Sequence, residues 1–139
     1  MKDRDLERRQ IARPEYDPGP EGAVGLVSRS HRDADNPLRA GAELPALCGI
    51  EYAAQAMAVH GRLSAAVAER PRAGYIVSVS DVVCRERRLD ELEHDLVIEA
   101  ERLAGDGARV LYRFALFAGD REILHGKAAA VLEAGRDWR

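Results

Sequence analysis

Between Leu44 and Gly61 the chain reads LPALCGIEYAAQAMAVHG, and no polar face offsets its apolar positions. That pattern predicts a helix hydrophobic on nearly every side, which other structure must wrap. Its two polar side chains near the start are one acid, Glu51, and one amide, Gln55. Pro45 suits the first turn of a helix, where a missing N–H costs nothing. Pro71 and Gly74 punctuate the far end, so the helix is expected over about 45–69.

After Arg72 the period changes to that of strands. Gly74–Arg85 is rich in β-branched residues, and Asp95–Leu103 alternates partly. Ala108–Phe117 alternates well, with Val110, Tyr112, Phe114 and Leu116 on one face, and Glu122–Glu133 closes the series. The gaps AGDG and AGDR carry Gly-Asp turn chemistry, so the last three strands should form an antiparallel meander. Gly126, Ala128 and Ala130 share one face of the last strand and would let a helix approach closely. Ahead of the helix, Ala23–Ser30 reads as a first strand and His31–Glu43 as a loop rich in Asp, Asn, Pro and Gly. Residues 1–22 are charged and carry three prolines, which predicts an extended or poorly ordered lead-in. Residues 135–139 are expected to fray.

The 139 residues suit one domain, and 46% apolar with 32% charged residues fits an ordinary soluble fold. A net charge of −3 gives no electrostatic case for nucleic acid. Glu51, Gln55, His60 and Arg62 interrupt the one segment that approaches a membrane span, so no membrane partner is expected. The charged N-terminus has no apolar signal core, which points to a cytoplasmic protein. Cys48 and Cys84 have no metal-ligand spacing and read as reduced core residues; neither a metal nor a cofactor is implied. Cys48 sits near a helix N-terminus, which can lower a thiol pKa, but no base follows it at helical spacing.

Gln55 lies nearly above Glu51, one turn on, and Ala58 and Arg62 continue that stripe. His60 is half a turn away in angle, so it is not Glu51's partner and reads as a histidine satisfied in the core or at an interface. Glu51 has two readings: a carboxylate held by hydrogen bonds or an arginine, or a general acid or base on a rigid element. The amides of Ala46 and Leu47 lack helical partners and could polarise a substrate carbonyl, as an oxyanion hole does. His31 is the one histidine ahead of the helix. His94 lies in an acidic turn, and His125 is mid-strand.

The run Asp35–Arg39 (DNPLR) followed by Gly49–Gln55 (GIEYAAQ) carries a resemblance. Pro45, Glu51, Ala54 and Gln55 match the helix of β-hydroxyacyl-ACP dehydratases. The loop and helix together resemble the dehydratase-like proteins of aryl-polyene and related pigment clusters. The motif covers about residues 31–61, and strand order extends it to about 134. The resemblance implies an α+β hot-dog fold over residues 23–134, an antiparallel sheet wrapped around one long central helix. It also implies a dimer, with acyl tunnels at the interface.

In that family the helix carboxylate works with a histidine from a His-Phe-Pro-Gly loop, taking a C2 proton and helping the C3 hydroxyl leave as water. Here Asn36–Pro37 stands where that histidine would fall. The resemblance therefore implies a protein that acts on or binds 3-hydroxyacyl thioesters, carried by ACP or CoA. On that resemblance Glu51 is expected to be the acid/base, with His31 or Asn36 completing the site. Ala46, Leu47 and Gln55 bind the substrate, the two helix-start amides holding the thioester carbonyl. Two alternatives go with it. One is a non-catalytic subunit pairing with a second hot-dog chain that supplies the histidine, as a heterodimer rather than a homodimer. The other is a thioesterase, with Glu51 activating water.

Overall fold

The structure is a computed structural model that describes residues 13–14, 23–64, 74–106 and 108–132. The predicted lead-in other than residues 13–14, the helix end at 65–69 and the tail at 135–139 lie outside the described residues. A short β1 (Arg13–Pro14) and β2 (Ala23–Ser28) precede a loop and a 3₁₀ turn, Ala46–Cys48. Helix α1 follows (Gly49–Ser64), then β3 (Gly74–Cys84), β4 (Leu96–Gly105), β5 (Arg109–Ala118) and β6 (Arg121–Leu132). The six strands form one antiparallel sheet in the order β1-β2-β4-β5-β6-β3.

Period-2 alternation sets the register of the sheet. Val24 and Leu26 of β2, Leu96, Ile98 and Ala100 of β4, and Val110, Tyr112, Phe114 and Leu116 of β5 all turn to one buried face. Each large side chain among them contributes on the order of 1.5–3 kcal/mol by leaving water. The expected meander β4-β5-β6 is present, and β5 and β6 join through a two-residue turn with Gly119 at φ +59°. Leu124 pairs with Leu116 and Glu122 with Phe117, so Ile123 is an extra residue of β6 and two consecutive β6 residues, Ile123 and Leu124, are buried.

Helix α1 crosses chiefly β4, β2 and β5. Its first turn sits so close to the sheet that a Cβ on Gly49 would come 2.8 Å from methyls of both Leu116 and Leu124. The buried stripe is Tyr52, Ala53, Ala56, Met57 and His60. This corrects the expected face of Ala53, Ala54, Met57 and Ala58: Ala54 is half-buried and Ala58 exposed. An alanine-rich helix has little amphipathic bias, so its sequence does not fix which side turns inward. Nor is the helix wrapped all round, since Glu51, Ala58, Gly61 and Arg62 face outward.

Gly126, Ala128 and Ala130 do face the interior. Gly126, however, makes room for the Phe114 ring and for Val82 of the bulged β3 rather than for the helix. Strand β3 is a free edge whose register shifts twice, at Ile76/Ser78 and Ser80/Val83, with Asp81 at φ +52° in the second bulge. Ile76 is its one half-buried residue; Tyr75 and Val77 are more than half exposed. Cys84 is exposed at its end and is not the core residue expected. No helix among the described residues is long and apolar enough to cross a membrane.

Candidate active site

The helix start is strapped to the segment that leaves β3. Leu44 N–H donates to Asp90 Oδ1 (2.9 Å), and Leu89 N–H donates to Leu44 O (2.8 Å). Ala46 N–H donates to Arg87 O (2.9 Å). Leu44, Ala46 and Leu89 are buried beneath this strap. The Ala46 amide is therefore engaged outside the helix, and the expectation that it holds a substrate carbonyl is corrected. The first bond of the 3₁₀ turn runs from Cys48 N–H to Pro45 O (3.0 Å), so the Leu47 amide precedes it. The Leu47 side chain stands 58% exposed at the tip.

Glu51 is exposed on the outer face of α1, in its acidic first turn, with Gln55 half-buried one turn on. The half-buried Cys48 thiol lies 3.8 Å from Leu38 O. Its pKa is pushed up, first by burial and then by the charge of Glu51. This is opposite to what a thiolate nucleophile needs.

The structure does not bring His31 to Glu51. His31 lies in a 3₁₀ turn, Ser30–Arg32, and is fully buried. Its Nε2 is 2.9 Å from Leu92 O, so Nε2 carries the hydrogen and donates. Nδ1 is buried without a partner. Burial lowers the ring's pKa against the opposing Leu92 hydrogen bond, and the side-chain charges acting on it are Arg32 and Asp95. Asn36 also turns inward: its Nδ2 donates to Ser30 O (2.9 Å) and Tyr52 Oη (3.2 Å), and its Oδ1 accepts from Leu38 N–H (2.8 Å). Tyr52 shares a further bond with Ser30 Oγ (2.8 Å), which in turn meets Ser28 Oγ (3.0 Å). This buried network pins the 30–38 loop to the helix one residue past Glu51.

The remaining histidines are elsewhere. His60 shares a 2.7 Å hydrogen bond with the Tyr112 hydroxyl and meets its ring edge-on, as a satisfied core histidine. Burial, then Arg102, lowers its pKa. His94 is exposed over Gly119, and His125 pairs with Glu122, which also binds Arg85. No group of three metal-binding side chains occurs among the described residues. Sequence reading missed Tyr52 and Asp90. The tyrosine beside Glu51 in GIEY, and the alternating charges of RERRLDE, were the signals available.

One carboxylate stands at a helix start on an uncovered face, and the imidazole and amide expected to complete the site point inward.

Many solved structures share this architecture, among them three of related description. The dehydratase heterocomplex ApeI:P from Xenorhabdus doucetiae superposes with a TM-score of 0.66 at 19% identity, over 81% of this chain and 76% of that one. A mutant thioesterase from Pseudomonas aeruginosa gives 0.65 at 9% identity, over 91% and 84%. A thioesterase family protein from Silicibacter pomeroyi gives 0.63 at 16%, over 91% and 88%. These likenesses show the hot-dog fold, an antiparallel sheet packed on one long helix. No curated protein matches the sequence. A family model described as ApeP-like, ApeP dehydratase, matches residues 22–134, nearly the whole described fold. The chain belongs to the ApeP-like dehydratase family.

Proposed function

We propose that this chain is one subunit of a two-chain hot-dog enzyme that dehydrates 3-hydroxyacyl thioesters. The observation that carries the reading is the half-site: Glu51 is exposed, whereas His31 and Asn36 are buried in structural hydrogen bonds. The long free edge of β3, with Tyr75, Val77, Val79, Val82 and Val83 exposed, supports a second hot-dog chain as the partner. That chain covers the open face of α1 and brings the histidine base. The base takes the C2 proton of the substrate. The Glu51 carboxyl gives a proton to the C3 hydroxyl, water leaves, and the C2–C3 double bond forms. The Leu47 amide and Gln55 hold the thioester carbonyl, stabilising the charge that develops there. His31 and Asn36 hold the loop that walls the site.

The test is to purify the chain alone and together with a hot-dog chain that keeps an intact His-Phe-Pro-Gly loop. Each is given 3-hydroxyacyl thioesters on ACP and on CoA, and both enoyl product and free thiol are read. The mixed pair is expected to form enoyl thioester and the single chain to be inert. Equal turnover by the single chain overturns the two-chain reading. Free thiol without enoyl product assigns the thioesterase chemistry instead.

A further inference from the structure

The strap at the helix start has one member whose placement a generic turn does not explain. Asp90 Oδ1 accepts both the Leu44 N–H (2.9 Å) and Arg88 Nε–H (3.1 Å), while its Oδ2 takes Arg88 Nη2. The Asp90 side chain is only 7% exposed, and Arg88 is further held by Glu43 (3.1 Å) and Glu91 (3.6 Å). Arg85 and Glu86 alone separate the last residue of β3, Cys84, from Arg87, whose carbonyl takes the Ala46 N–H. Leu44, Pro45 and Ala46 lead directly into the turn that carries Leu47 and into the helix that carries Glu51. Proline at 45 has no N–H to give, so the Leu44 bond to Asp90 and the Ala46 bond to Arg87 are the two donor contacts fixing this entry.

We propose that Asp90 is a positioning residue for the site: through Leu44 it fixes the helix start, and with it the Leu47 amide and the Glu51 carboxylate. This deepens the dehydratase reading and rests on it for its catalytic part. The geometry of the clamp stands by itself. Arg88 holds the Asp90 carboxyl down at a pKa of about 2, so the acceptor is a full carboxylate at any pH at which an acyl thioester would be assayed. A hydrogen bond to a charged acceptor is worth more than one to a neutral group.

Cys48, three residues before Glu51 and half-buried, reports the helix start without any catalysis. In the full chain carrying Cys84→Ser, its alkylation by iodoacetamide is timed for the parent, Asp90→Ala and Asp90→Asn. Asp90→Ala is expected to label about tenfold faster or more, the loss of one charge-assisted bond. Asp90→Asn keeps an acceptor for Leu44 but loses its charge, and is expected to label about threefold faster than the parent, between the parent and the alanine variant. In the active pair, Asp90→Ala is expected to lower kcat about tenfold with KM within about twofold, and Asp90→Asn to keep about a third of the parent's kcat. Should Asp90→Ala fail to fold, Arg88→Gln frees the carboxylate to turn, with labelling about threefold faster expected. Labelling of Asp90→Ala within twofold of the parent overturns the proposal, as does equal acceleration by alanine and asparagine. Unchanged labelling of Arg88→Gln, where it replaces the alanine variant, does the same. A parent pair that forms no enoyl product, with labelling that responds as expected, overturns the dehydratase reading and leaves the clamp standing.

Discussion

Replacing Tyr52 with phenylalanine separates a structural loop lock from a substrate-binding loop. The hydroxyl is buried and bonds Ser30 Oγ at 2.8 Å and Asn36 Nδ2 at 3.2 Å as its main partners, with the Ser28 hydroxyl also acting on it. Neither partner is stranded by its loss, because Ser30 Oγ keeps Ser28 Oγ and Asn36 Nδ2 keeps Ser30 O. The cost is then two net hydrogen bonds without a desolvation penalty, about 1–2 kcal/mol. For a domain of this length, 1 kcal/mol moves the thermal midpoint by about 3–4 °C, so Tyr52→Phe is expected to lower it by about 3–8 °C. Asn36→Ala removes three bonds and leaves the Leu38 N–H without its acceptor, a larger cost of about 2–4 kcal/mol. The two share one bond, so the double variant should cost less than the sum by about 0.5–1 kcal/mol. The assay is urea and thermal unfolding of the single chain, with turnover of the active pair measured in parallel. A midpoint moved by less than about 1 °C in Tyr52→Phe, together with an Asn36→Ala that folds normally and has lost turnover, would refute the reasoning. Asn36 would then be a substrate residue.

Glu51→Gln sits on an exposed face and is expected to leave stability within about 0.5 kcal/mol while turnover of the active pair drops about 10²–10⁴-fold; unchanged turnover removes Glu51 from the chemistry. His31 and His60 both have pKa values lowered by burial, so below about 6.5 the unfolded chain takes up protons that the fold declines. Stability is therefore expected to be full above that pH and to fall as pH drops through it toward the folded values. Thermal midpoints between about pH 7.5 and 5.5 check this, and a flat profile would contradict the burial of both rings. Gly126→Ala would place a Cβ 2.9 Å from Phe114 Cζ and 3.2 Å from Ser80 O; it is expected to cost about 1–3 kcal/mol by denaturant unfolding.

Strand boundaries were legible to within a few residues because alternating side chains state which face is buried, as in Val110 through Leu116. The existence of the helix was legible from Leu44–Gly61, but its orientation was not. Ala53 and Ala58 are the same residue type, and only the packing of the helix on β2, β4 and β5 decides that one is buried and the other exposed. The bulges of β3 were illegible for a related reason. A β-branched run is compatible with several registers until β6 is laid beside it, and the chain passes through Asp81 without a glycine to mark the turn. Glu51 was readable as an acid in an apolar run. The inward turn of His31 and Asn36 was not, because it depends on Leu92 and Tyr52, 61 and 16 residues away in sequence.

The two ends of the sheet are unequal. At β1 the outermost described strand is Arg13–Pro14, and because the proline nitrogen carries no proton these two residues offer an incoming strand at most one amide. At β3 the outermost strand runs for eleven residues. A pair of the proposed kind, joined through β3, would use the longer outer ladder among the described strands. In the proposed pair, joining through β3 would bury an apolar edge that would otherwise invite further strands.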